Sequence, residues 1–248
     1  MAWGSVSVIA SANNKTAGTT VVMTTALHAI PVGNVILVVT GWDNTDTTDI
    51  NPTRLSVTDS NGNTYVRVRE FVNGQGASNA GAHVGIFYAI VTTQLANGGT
   101  ITVTNNTSKT ARACTAWEFT LGAGSTISAV SPVDLANDGA DPGSMTISGL
   151  SSAERLYLRG YALEADVSGG AFSPTTNFTG LNNNGTTGGG NASNMSVGAE
   201  FRINTSTGET SDPTDQAADC ASIFVALVEV PAATFVPRAT PYPQLLAH

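Results

Sequence analysis

NVILVVTGWDN, residues 34–44, is a continuous apolar run that ends in a tryptophan and a burst of Asp, Asn and Thr. Its Val and Ile side chains are stiff at χ1 and pack better on a pleated sheet than in a helix. The run is far too short to cross a bilayer, so it reads as the core strand of a β-protein. A second segment, ERLYLRGYALEAD at residues 154–166, admits two readings. Ser151 and Glu154 have capping-box spacing, and Leu156, Tyr157, Leu163 and Glu164 line one face of a helix. Gly160 in the middle would weaken that helix. The segments on either side decide for a strand, because they repeat as well.

GSVSVIA from Gly4 pairs with GSTISAV from Gly124, and GTTVVMTTAL from Gly18 with GSMTISGL from Gly143. After the core strand, VTDSNGNTYVRV from Val57 has a looser partner in FSPTTNFTGL from Phe172. GASNAGAHVGIFYAI from Gly76 pairs with GGNASNMSVGAEFRI from Gly189. TAWEF from Thr115 pairs with ALVEV from Ala226 and sets Glu118 beside Glu229. The offset shrinks from about 120 residues at the start to about 111 at the end, as loop trimming in a second copy would produce. Six matches in one order imply a duplication, with repeats at residues 1–121 and 122–230.

Composition agrees with an all-β chain. Gly, Thr, Asn, Ser, Ala and Val dominate, and charged residues make up only 11%, which leaves little to build helix surfaces. A net charge of −8 argues against a nucleic-acid partner, which needs clustered Lys and Arg. MAWGSVSVIASANN alternates like a strand and has no basic region before its apolar residues, so no signal peptide is expected. No apolar run reaches membrane-spanning length, and no membrane insertion is expected. Two cysteines are too few for a disulfide framework; Cys114 and Cys220 do not align in the repeat and read as separate thiols.

Eight short strands are expected in the first half. Asn61-Gly62 between SVTDS and NTYVRV is a hairpin signal, since both central residues of such a turn take positive φ. Val66 and Val68 alternate with Arg67 and Arg69, giving that strand a wet face. In the second half, LNNNGTTGGGNASN from Leu181 reads as a long mobile loop. STGETSDPTDQAAD from Ser206 reads as an acidic loop replacing the strand TITVT. Eight antiparallel strands per repeat suit two tandem jelly-roll-like β-sandwiches. Residues 231–248, PAATFVPRATPYPQLLAH, carry four prolines and no strand period, and so form an extended arm. Its apolar residues Phe235, Val236, Tyr242, Leu245 and Leu246, with Arg238 between the two clusters, imply docking on a partner.

Chemistry-bearing constellations are sparse. His28, His83 and His248 have no metal-ligand spacing to Cys or carboxylates, and no G-x-S-x-G elbow occurs. Glu118 and Glu229 form a conceivable carboxylate pair. They occupy equivalent places in two copies, so they read as solvent-facing or edge-protecting residues. The loop with Asp43, Asn44, Asp46 and Asp49 offers hard oxygens but lacks EF-hand spacing, and Glu209, Asp212, Asp215 and Asp219 are no better. No catalytic residue, cofactor or metal is expected.

The series Trp42-Asp43, Ser56 to Tyr65, Val84 to Val91, Ile101 to Thr104 and Ala116 to Phe119 resembles a duplicated β-sandwich module of tailed-phage virion proteins and some bacterial surface proteins. The opening MAWG and the tail PRATPYPQLLAH are similar to short minor tail proteins of actinobacterial siphophages. The resemblance implies a non-enzymatic virion component, assembled in the host cytoplasm with other virion proteins or further copies of itself. A capsid decoration protein on the head is the nearest alternative. A carbohydrate- or host-surface-binding module is a third, and requires exposed aromatics on a sandwich face.

Overall fold

The computed structural model describes residues 3–25, 28–44, 46–74, 81–169 and 172–232. All strand pairings among them are antiparallel, and the one helical turn is a 3-10 turn at Asn191–Ser193. The first half forms a five-stranded sheet ordered β1 (Gly4–Asn14), β8 (Arg112–Thr120), β3 (Val35–Asp43), β6 (Ala82–Ile90), β5 (Val66–Val72). A three-stranded sheet of β2 (Gly18–Thr24), β7 (Thr100–Lys109) and β4 (Leu55–Asp59) covers its outer face. The second half forms a five-stranded sheet ordered β9 (Thr126–Ala140), β15 (Ala218–Val230), β11 (Ala153–Leu163), β13 (Ser196–Ser206), β12 (Thr179–Gly185). A small sheet of β10 (Met145–Ile147) and β14 (Glu209–Ser211) lies outside it. Strand for strand, the order in the two large sheets is the same.

The two large sheets pack face to face, so the molecule has four layers and its largest apolar cluster lies between the halves. Val35, Leu37 and Val39 of β3 point into that central cluster, where they meet Leu156, Leu158, Ile223 and Val225. The alternate residues Ile36, Val38 and Trp42 point outward, into a second cluster under the small sheet with Met23, Leu55, Ile101 and Val103. Residues 35–39 therefore read as continuously apolar because β3 is buried on both faces, whereas a half-exposed strand would alternate. β11 is the counterpart strand: Leu156 and Leu158 face inward, and Tyr157 faces Phe224 and Phe178 on the outside. The strand reading of the segment around Gly160 holds.

The contacts between the halves are reciprocal. β6 lies on β15, and its counterpart β13 lies on β8; β5 lies against β9, and its counterpart β12 lies against β1. This is the pattern of an isologous dimer interface made within one chain. At one margin Arg69 of β5 donates to Asp134 of β9, at 2.5 Å from Nη2. At the other, Asn184 of β12 donates to the carbonyls of Ala12 and Cys114 at 2.7 and 2.9 Å. Phe119 and Phe201 stack edge to face across the middle, with centroids 5.1 Å apart, a contact of about 0.5–1.5 kcal/mol beyond burial.

The edge strands differ from the inner ones. β1, β5, β9 and β12 each carry at least one register shift, and β9 also contains Pro132. The pairings of β3 with β6 and β8, and of β11 with β13 and β15, have none. Bulges and a proline twist an edge out of register with a second sheet, which protects it from edge-to-edge pairing.

Three local expectations are corrected. Asn61-Gly62 does make a tight turn, with Gly62 at φ 76°, but β4 and β5 on its two sides belong to different sheets and form no hairpin. The Asp59 carboxylate accepts the Asn61 and Asn63 amides, and the Asn63 side chain bonds the Thr92 and Thr93 backbone at 2.8 and 2.9 Å. That anchor turns the chain from one layer to the next. LNNNG, the start of the expected mobile loop, is part of β12. The acidic loop of the second half retains a three-residue strand, β14, paired with β10 where the first half pairs β7 with β2.

Candidate functional site

The residues expected to carry assembly, Phe235, Val236, Arg238, Tyr242, Leu245 and Leu246, lie outside the described residues. The strand that precedes them is described. β15 ends at Val230, paired with Thr126 and 44% exposed. One residue earlier, Glu229 accepts the Gly122 amide at 3.1 Å and the Ser125 hydroxyl at 2.5 Å. Gly122 to Ser125 is the turn joining the halves, so the end of β15 is clamped to that junction.

Glu118, its counterpart in the first half, corrects the reading of both glutamates as solvent-facing. It is 1% exposed, accepts the Asn34 side-chain amide at 2.5 Å and pairs with the His28 imidazole. Its two oxygens tie down the loop leading into β3. The pair Glu118 and Glu229 thus serves two separate loops, and the geometry does not present the two carboxylates to one substrate.

The remaining buried charges follow the same logic. Glu70 of β5 accepts the Arg54 and Leu55 amides at 2.9 and 3.1 Å and the Arg67 guanidinium at 2.6 Å. His83 stands 3.2 Å away on the other side, and burial holds its imidazole below the ordinary value. Asp46 of the acidic loop is engaged by both terminal nitrogens of Arg54, at 2.5 and 2.9 Å, which lowers its carboxyl below the usual range. Asp49 accepts the Gly74 amide. The loop's oxygens are thus spent on protein donors. Among the described residues no group of His, Cys, Asp and Glu is arranged to hold a metal ion.

In the second half Arg159 is fully buried and donates to the carbonyls of Pro142, Gly143 and Ser211 and to the Ser222 hydroxyl. Glu200, directly across the strand pair, accepts from Ser211 and from the amide and hydroxyl of Thr175. The segment 172–178 takes the place of β4 here, with Ser173 bridging Thr214 and Phe178 packed on Phe224. A polar bracket built on Arg159 supports this smaller outer layer, where the first half uses Leu55 and Val57. The second acidic set is split among networks: Glu209 pairs with Arg202, Asp215 accepts from Tyr161, and Asp219 accepts the Gly139 amide.

Cys114 and Cys220 are both buried and free, and burial raises both thiols, that of Cys220 to about 12. Trp3, Trp42 and Trp117 are all core residues. Trp42 donates to Thr40 and lies under the Arg112 guanidinium, which itself donates to the carbonyls of Thr16, Thr20 and Lys109. Tyr88, Tyr157 and Tyr161 are buried and Tyr65 is half-buried. Comparison with protein-family models, curated proteins and solved structures found no match.

Proposed function

We propose that this chain is a non-enzymatic structural component of a bacteriophage virion, a minor tail protein. Two copies of one jelly-roll-like module, residues 1–121 and 122–230, form its body, and residues 231–248 make the contacts of assembly. The observation that carries the reading is how the buried ionic groups are used. Glu70, Glu118, Glu200, Arg112 and Arg159 are each directed at backbone groups or at side chains that hold the loops of this chain in place. Charge taken out of water in this way hardens a frame, whereas an active site aims such groups into a cleft.

Two further features support it. The described tryptophans and tyrosines are spent on the core or partly covered, so they supply no stacking platform for a sugar. The bulged edge strands resist growth of the sheets, leaving association to a segment outside them. The arm, which follows β15, is that segment. Its prolines narrow the unbound ensemble and lower the ordering cost of docking. Fully extended, it reaches on the order of 50 Å at about 3.1 Å per residue, enough to lie on a neighbouring subunit, with Arg238 paired to an acidic group there.

Sedimentation velocity on the full chain and on a chain lacking residues 232–248 tests this. The truncated protein is expected to keep its melting temperature and to lose self-association or binding to its virion partner. Unfolding on truncation would place the arm in its own core and overturn the assembly role.

A further inference from the structure

Where β11 ends, the seam between the halves contains a carboxyl group without a conventional partner. Glu164 is 5% exposed. Its Oε2 accepts the Gly81 amide from the other half at 2.9 Å, while its Oε1 is buried and, among the described residues, receives no hydrogen bond from any N–H or hydroxyl. What faces it is another acid. Asp219 is the next cross-strand neighbour, its carbonyl bonded by the Glu164 amide at 2.9 Å, and its carboxylate acts to raise the Glu164 carboxyl. Asp219 is held in place by the Gly139 amide at 2.9 Å.

From the first half, Asp43 at the end of β3 adds negative charge at the same point. Lys109 of β7 acts on Asp43, and Gly81, the residue before β6, contributes a neutral amide. A buried carboxyl with one oxygen unpartnered and further acids beside it ionises at a cost, so Glu164 holds a proton more readily than a solvated glutamate does.

We propose that Glu164 and Asp219 form a proton-operated latch on the seam between the halves. With the proton in place, Glu164 donates to Asp219 through one oxygen and accepts Gly81 through the other, closing the end of β11 against both β15 and β6. Loss of the proton leaves two anions in contact beside Asp43, and this end of the seam opens. Burial first, then Asp43 and Asp219, outweigh the Gly81 amide and raise the Glu164 carboxyl to about 7. The folded state therefore binds the proton more tightly than the unfolded chain does. The stabilisation is complete below the ordinary value of 4.5 and is lost as pH rises through about 7.

The test is thermal unfolding of the full chain and its Glu164→Gln variant between about pH 4 and about pH 8.5, with amide exchange followed at Gly81 and Glu164. Glutamine reproduces both bonds of the protonated acid and cannot ionise. Both proteins are expected to match at the acid end. At the alkaline end the parent's folding constant falls relative to the variant's by up to a factor on the order of a hundred, and only the parent loses protection at the two amides. Parallel pH profiles for the two proteins would overturn the latch. So would recovery of the parent at the alkaline end on adding calcium chloride, since the pocket would then take a cation instead of a proton.

Discussion

Gly160 of β11 lies directly on Val39 of β3: a Cβ at Gly160 would stand 2.8 Å from Val39 Cγ1 and 3.2 Å from Ile86 Cδ1. Gly41, in the corresponding part of β3, is equally tight, with a Cβ there 2.9 Å from Ala162 Cβ. The two central sheets approach closely where each core strand has no side chain. Gly160→Ala is expected to cost about 1–3 kcal/mol through overpacking, and Gly160→Leu more. Urea titration should show a lower midpoint with an unchanged slope. An alanine variant as stable as the parent would mean that the sheets are not in contact here.

Arg159→Met removes donors from three buried carbonyls and a hydroxyl and leaves Glu200 without its cationic neighbour. A loss of roughly 3–5 kcal/mol is expected, read by chemical denaturation. Retention of full stability would mean that the bracket contributes nothing to the outer layer of the second half.

Asn63→Ala strips the acceptor from the Thr92 and Thr93 amides and the donor from Asp59. The expected cost is about 2–4 kcal/mol. Asn63→Asp keeps the acceptors but sets a second carboxylate beside Asp59, so its deficit should shrink on acidification, when the carboxylates take up protons. A pH-independent deficit would contradict the anchoring geometry.

Asp46 has a lowered carboxyl pKa because Arg54 binds it. Its contribution is present above the ordinary carboxylate value and is lost as pH falls through the lowered one. Asp46→Asn should therefore be less stable than the parent at neutral pH and converge with it in acid, as followed by melting temperature. The opposite trend would show that the ion pair does not operate in solution.

How far the sequence could be read depended on how local the determining contacts are. Residues 35–42 announce a buried strand on their own, and Gly160 tells against a helix. What covers the second face of β3 is the other half of the chain, and no pattern within residues 35–42 names Leu156 or Val225. The Asn-Gly signal was correct for the turn and misleading for the pairing, because sheet membership follows Asp59 and Asn63 reaching across to residues 92 and 93. Glu118 looked like an edge residue because its partners, His28 and Asn34, lie 90 and 84 positions away. LNNNG had the composition of a loop, yet its backbone pairs with β13 and Asn184 reaches the carbonyls of β1 and β8. Asn is poor in isolated strands and serviceable where its amide has a carbonyl to meet.

On the function proposed above, this chain is built into a virion through residues 231–248. Mass spectrometry of density-banded phage particles, from a phage encoding the full chain and from one encoding the chain without residues 232–248, tests it most directly. Peptides of the full chain are expected in the banded particles at a copy number fixed relative to the tail proteins, and the truncated form is expected to be lost from the band and to stay folded in the soluble lysate. Full-length chain absent from the particles, or truncated chain retained at the same copy number, would contradict it.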